Sequence, residues 1–240
     1  GRPVANGRID LGARMFAPVR MTETGVDLTL GTDEYAFTAS LGTDCGEFTN
    51  TTGVASVGYV PGVGAWLLNV GPLGCGTSQR LFCFGVDRPS SVTAPAPLPS
   101  VRYAFVTGTQ WLPSGGLAAA DARCQADATA ASLPGTYKAL LATTTASAGS
   151  RFSIGGAPWV RIDGVPLASS ASALFTTSYW DTTPMLDARG TLQNAVGIWT
   201  GIPGGGSFNA SVGTVATTCG DWTNSAGTAE VGSTGSTRAY

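Results

Sequence analysis

Histidine is absent from the 240 residues, and lysine occurs once, as Lys138. Without imidazole the chain lacks the side chain most used for general acid and base catalysis near neutral pH. A serine nucleophile has no histidine to activate it, and no Gly-x-Ser-x-Gly elbow occurs. A zinc site would need thiolates or carboxylates alone, and no Cys-x-x-Cys spacing offers one. Gly204-Gly205-Gly206 lacks the lysine and helix of a phosphate-binding loop. Asp33-Glu34 is the adjacent carboxylate pair, and sequence neighbours seldom face one another, so a solvated loop is expected there. The chain is expected to be no enzyme.

Charge is scarce as well. Charged residues make up 12% of the chain, about half of the ~25% usual in soluble domains. The net charge of −2 gives no electrostatic footprint for nucleic acid or an anionic membrane surface. No apolar run approaches the ~18 residues of a membrane span. No charged-then-apolar leader opens the sequence, so any signal peptide is expected to be removed or to lie outside these residues.

What the chain has is an apolar share of 43%, 34 glycines, abundant Ser and Thr, and five cysteines: Cys45, Cys75, Cys83, Cys124 and Cys219. The apolar share suffices for a packed core. Cysteines without metal-ligand spacing point to disulfides in an oxidising, extracellular compartment. Their odd number leaves at least one free or bonded to another chain.

An internal repeat organises the chain. Residues 45–58 and 219–232 match without a gap at an offset of 174. Cys45/Cys219, Gly46/Gly220, Thr49/Thr223, Asn50/Asn224, Gly53/Gly227, Ala55/Ala229, Val57/Val231 and Gly58/Gly232 are identical, and Phe48/Trp222 is conservative. Extended forward, Trp66 falls opposite Tyr240, while Cys75 and Cys83 have no counterpart. The frame therefore predicts the back part of one unit over residues 1–88 and the front and middle of the next over 101–240. That second unit would lack its last strands. Between them, residues 89–100 carry four prolines and read as an extended linker.

The expected class is α+β, with one principal helix, short mixed strands and long Gly-rich loops. Alternation and β-branched content predict strands over 101–107, 137–142, 159–163 and 81–86. The Ala-rich stretch 115–132 reads as the helix, with Ser114 as N-cap and Leu133-Pro134-Gly135 as its stop.

Residues 115–125, Gly-Gly-Leu-Ala-Ala-Ala-Asp-Ala-Arg-Cys-Gln, after Phe105-Val106-Thr107, resemble the opening of bacterial secreted endostatin-like, C-type-lectin-like domains. Ser132–Leu141, Gly12–Phe16, Cys45-Gly46-Glu47-Phe48, Cys75 and Leu81-Phe82-Cys83 are similar to further parts of endostatin. The resemblance implies a C-type-lectin-like fold and nested disulfides, first cysteine with fourth and second with third. Carried over, it pairs Cys45 with Cys75. It makes Cys83 a fourth-position, Cys124 a first-position and Cys219 a second-position cysteine. Cys83 and Cys124 would then bond only if half-units combine.

Two explanations of the frame stand side by side. The residues are an excerpt of a longer tandem array, or half-units are completed between chains, as in a strand-exchanged fibre. The expected function is an extracellular structural or adhesive protein whose partners are copies of itself or neighbouring units. The alternative is a glycan-binding lectin. For that, Trp180 in a polar loop offers a stacking face, with Asp181, Asp221 and Asn224 as oxygen donors. No cofactor is expected. Calcium would need clustered oxygens, which Asp181, Asp187, Asp221 and Asn224 supply only in scattered form, and the Glu-Pro-Asn or Gln-Pro-Asp tripeptide is missing.

Overall fold

A computed structural model describes residues 15, 18–22, 24, 26, 28, 35–62, 70–84, 98–177, 179–193, 196–235 and 237. Asp33, Glu34, Trp66, Gly85, Val86, Tyr240, most of the linker, and Gly12–Phe16 apart from Met15 lie outside the described residues. The fold is mixed α and β, with few helices and small sheets. The chain divides into two compact units. One is made by Gly1–Pro97 with Gly235–Thr237, the other by Leu98–Thr234 with Arg238–Tyr240.

The first unit holds a three-stranded antiparallel sheet in the order β1 (Tyr35–Phe37), β2 (Val54–Tyr59), β3 (Gly71–Gly74). Tyr35 lies opposite Tyr59 and Val54 opposite Gly74. Central β2 buries Ala55, Val57 and Tyr59 on its way through the sheet, as β-branched and aromatic residues on a covered strand do. The Thr237 hydroxyl donates to the Pro61 carbonyl at 2.8 Å, which fastens the segment Gly235–Thr237 to this unit.

The second unit opens with β4 (Arg102–Tyr103), which runs parallel to β5 (Trp159–Val160). The ladder is shorter than the expected strands over 101–107 and 159–163. Beyond Tyr103 only an isolated parallel bridge, Val106 to Asp187, continues it, and beyond Val160 the chain turns back at Arg161–Gly164. The Arg102 guanidinium lies 3.3 Å from the centroid of the Trp159 ring and donates to the carbonyls of Ser153, Gly155 and Ala157. That fan of bonds pins the loop before β5.

Helix α1 (Gly116–Ala130) is the longest element. Its N-cap is Gly115, in a left-handed conformation with φ 82°, and not the expected Ser114. The Ser114 hydroxyl turns back to the Leu112 carbonyl. Segment 137–142 forms no strand, contrary to expectation. Two of its amides are taken by side chains of α1, Tyr137 by Gln125 Oε1 and Ala139 by Asp121 Oδ1, both at 2.9 Å, and a third, that of Ala142, donates to the Thr200 carbonyl at 2.9 Å. Arg151 closes the arrangement by donating to Asp121 and to the Ala139 carbonyl, each at 2.6 Å. Residues 81–84 likewise carry no sheet ladder; only Arg80 bridges to Ala36. The short helix α2 (Ala173–Thr176) adds Leu174 and Phe175 to a core with Trp159, Leu167, Trp180 and Phe208. A hairpin of β6 (Gly197–Trp199) and β7 (Val231–Ser233) completes the unit.

Candidate functional site

The repeated segment takes the same uncommon backbone twice. Cys45–Phe48 and Cys219–Trp222 each form one helical turn whose four residues all have positive φ, between 48° and 67°. Left-handed turns cost about 1–2 kcal/mol per non-glycine residue, so the surroundings must hold them. The same bonds do so in both copies. Phe48 N–H donates to Asp44 O and Trp222 N–H to Thr218 O, each at 2.7 Å. Asn50 N–H donates to Cys45 O and Asn224 N–H to Cys219 O, each at 3.0 Å. Strand pairing repeats too: Phe37 lies opposite Val57, and Trp199 opposite Val231. Phe37 packs on Phe48 as Trp199 packs on Trp222, with ring centroids 5.9 and 6.2 Å apart.

Where the copies part, the second unit is open. In the first, β3 covers the far edge of β2, Val57 is 2% exposed, and Cys45 is bonded to Cys75 with their Cα atoms 5.7 Å apart. In the second, Val231 is 57% exposed, and among the described residues no strand pairs with the far edge of β7. Cys219 is a buried free thiol. Cys83 and Cys124 are also unbonded, Cys83 exposed and Cys124 half-buried, and Cys45–Cys75, the one bridge the resemblance placed within a unit of this chain, is formed.

A second open edge faces a cavity of about 1080 Å³ inside this unit, larger than the ~300–1,000 Å³ of small-molecule pockets. Phe105, Cys124, Tyr137, Ile198 and Trp199 are among its walls. On one side lies β4. Arg102 and Ala104 turn their amides to Pro158 and Val160, so the amides of Tyr103 and Phe105 point the other way, and neither has an acceptor among the described residues. On the other side lies β6. Thr200 N–H bonds Glu230 O across the hairpin, so Trp199 N–H and Gly197 C=O point away from β7. Their counterparts in the first unit are satisfied by one residue: Phe37 N–H donates to Arg80 O, and Arg80 N–H to Tyr35 O.

The residues expected to hold a ligand lie elsewhere in the unit. Trp180 is 6% exposed, its Nε1 donates to the Leu174 carbonyl, and its ring stacks on Phe208. The expected exposed stacking face is therefore corrected to a core position. Asp181 lies beside it, its amide bonded to the Leu167 carbonyl. The Asp221 carboxylate accepts from the amide and hydroxyl of Thr144, both at 2.8 Å, and so clamps the second left-handed turn to a neighbouring loop. Asn224 Oδ1 accepts from the Ala226 amide in a local turn. Trp222 is fully buried and donates to the Ala142 carbonyl, whereas Trp199 is partly exposed. Among the described residues no three His, Cys, Asp or Glu side chains cluster as metal ligands, and no helix is long and apolar enough to cross a membrane.

No family model matches the chain, and no curated protein matches it.

Proposed function

We propose that this chain is a non-catalytic extracellular structural or adhesive protein, built of tandem C-type-lectin-like units that associate by completing one another. The observation that carries this reading is the second unit's open interior, a large apolar-walled cavity lined by two strand edges whose outward amides have no acceptor among the described residues. Unpaired strand edges bind further strands strongly. The Cys45–Cys75 bridge suits an oxidising compartment, and the repeated turn supports a tandem array. Trp180 in the core removes the stacking residue that the glycan-binding alternative named.

Sedimentation velocity on the reduced full chain over a wide concentration range tests the reading. The expected result is growth of species with concentration, visible as linear assemblies by negative-stain microscopy. A chain that stays strictly monomeric at the highest concentration overturns it.

A further inference from the structure

We propose that the slot between β4 and β6 receives residues Leu81–Phe84 of a second copy of this chain as an added strand, with Cys83 bonding Cys124. The proposal rests on the self-association reading above and names the segment and the slot that would carry it.

The first unit shows where such a strand belongs. Arg80 sits on the edge of β1 that faces away from β2, bridged in parallel to Ala36. The equivalent edge of β6 faces the cavity. On β1 that place is taken by Arg80 itself, which bonds Phe37 N–H and Tyr35 C=O; beside Gly197–Trp199 no backbone takes it among the described residues, and there the Leu81–Phe84 backbone of a second copy would lie. It would satisfy Trp199 N–H and Gly197 C=O on one side and the Tyr103 and Phe105 amides on the other.

The segment fits the slot chemically. Leu81 is 70% and Phe84 52% exposed, flanking a half-buried Phe82 and an exposed Cys83. Such a run of large apolar groups is out of place on a solvated surface, and the slot offers it aromatic walls. Of the three free thiols, Cys83 alone lies on this segment and Cys124 alone lines the cavity. Each copy carries both donor and acceptor, so the contact is heterologous and propagates head to tail.

The covalent step is thiol–disulfide exchange with a small organic disulfide as oxidant. Cys83 loses its proton and its sulfur attacks the small disulfide, whose S–S bond breaks and releases one thiolate. Cys124 then gives up its proton and attacks the Cys83 sulfur of the mixed disulfide, releasing the second thiolate. Two protein thiols become one disulfide, and the small disulfide becomes two thiols that take up the two protons.

The test mixes ¹⁴N- and ¹⁵N-labelled full chain in equal amounts, oxidises it with glutathione disulfide, and maps the bridges without reduction. The expected result is a Cys83–Cys124 link containing mixed-isotope pairs at their statistical share, with a ladder on a non-reducing gel. A Leu81→Asp/Phe84→Asp variant, altered at exposed positions only, should lose the ladder while keeping Cys45–Cys75. Same-isotope pairs alone, or Cys219 in place of Cys124, overturn the proposal. A ladder that survives the double variant overturns this occupant but leaves self-association standing. A wild-type chain that never associates overturns both.

Discussion

Glu47 and Asp221 occupy the same left-handed backbone position, each with φ 54°, and differ in what their side chains touch. Glu47 is exposed, whereas Asp221 holds Thr144 through two bonds of 2.8 Å. Glu47→Gly relieves the strained φ and should stabilise its turn by up to about 1 kcal/mol, net of glycine's entropy cost. Asp221→Gly gives the same relief but strands the Thr144 amide and hydroxyl, a loss of about 1–3 kcal/mol that wins. Hydrogen exchange at the Asn50 and Asn224 amides, which close the two turns, should slow in the first variant and quicken in the second. Equal signs would sink the argument. Cys124 offers a pH test. Burial first, then Asp121 and Asp127, push its thiol up to about 11, against smaller opposing effects of Arg151 and Arg123. Its thiolate fraction at pH 8 is then on the order of a thousandth, so iodoacetamide should label it about tenfold faster per pH unit up to pH 10. Because the folded value lies above the unfolded one, this thiol's contribution to stability is complete below about pH 9 and lost as pH rises through about 11.

At the scale of elements, α1 and segment 137–142 hold one another by side chains where a sheet would use backbone. Asp121 accepts from the Ala139 amide and pairs with Arg151 at 2.6 Å, with both side chains largely shielded. Asp121→Ala should therefore destabilise the unit by about 2–3 kcal/mol and speed exchange of the Ala139 amide. Gln125→Ala should touch mainly Tyr137. An unchanged Ala139 rate in Asp121→Ala would refute this account. The helix was legible because its Ala-rich run ends in Leu133-Pro134-Gly135. The repeated turn was legible as identity at a fixed offset, although its left-handed dihedrals were not, since Cys45, Glu47 and Phe48 are poor residues for positive φ. Segment 137–142 misled because alternation reports what a strand would bury, not whether a partner runs beside it beyond the one bond from Ala142 N–H to the Thr200 carbonyl. Trp180 misled for a related reason. Its polar neighbours suggested a loop surface, while the Leu174 carbonyl and the ring of Phe208 hold the side chain inside. The open slot had no signal of its own beyond the odd cysteine count and the frame of the repeat.

At the scale of the whole molecule, an open head-to-tail contact has no preferred size, so anything that fills the acceptor without offering a donor should end the chain of contacts. A synthetic peptide with the sequence of residues 79–86 supplies Leu81, Phe82, Cys83 and Phe84 and carries no slot. Added in excess to the reduced protein, it should shorten the assemblies seen in sedimentation, with its strength falling when Leu81 and Phe84 are replaced by Asp. Because it binds the folded unit and not the unfolded chain, it should also stabilise the second unit. At a concentration a hundred times its Kd the gain is about 2.7 kcal/mol by mass action. Hydrogen exchange gives the site-resolved reading: the Tyr103, Phe105 and Trp199 amides, which have no acceptor among the described residues, should become protected together. Protection at the exposed edge of β7 in place of these three would show that the added strand pairs with Val231–Ser233, and that the cavity is not where copies meet.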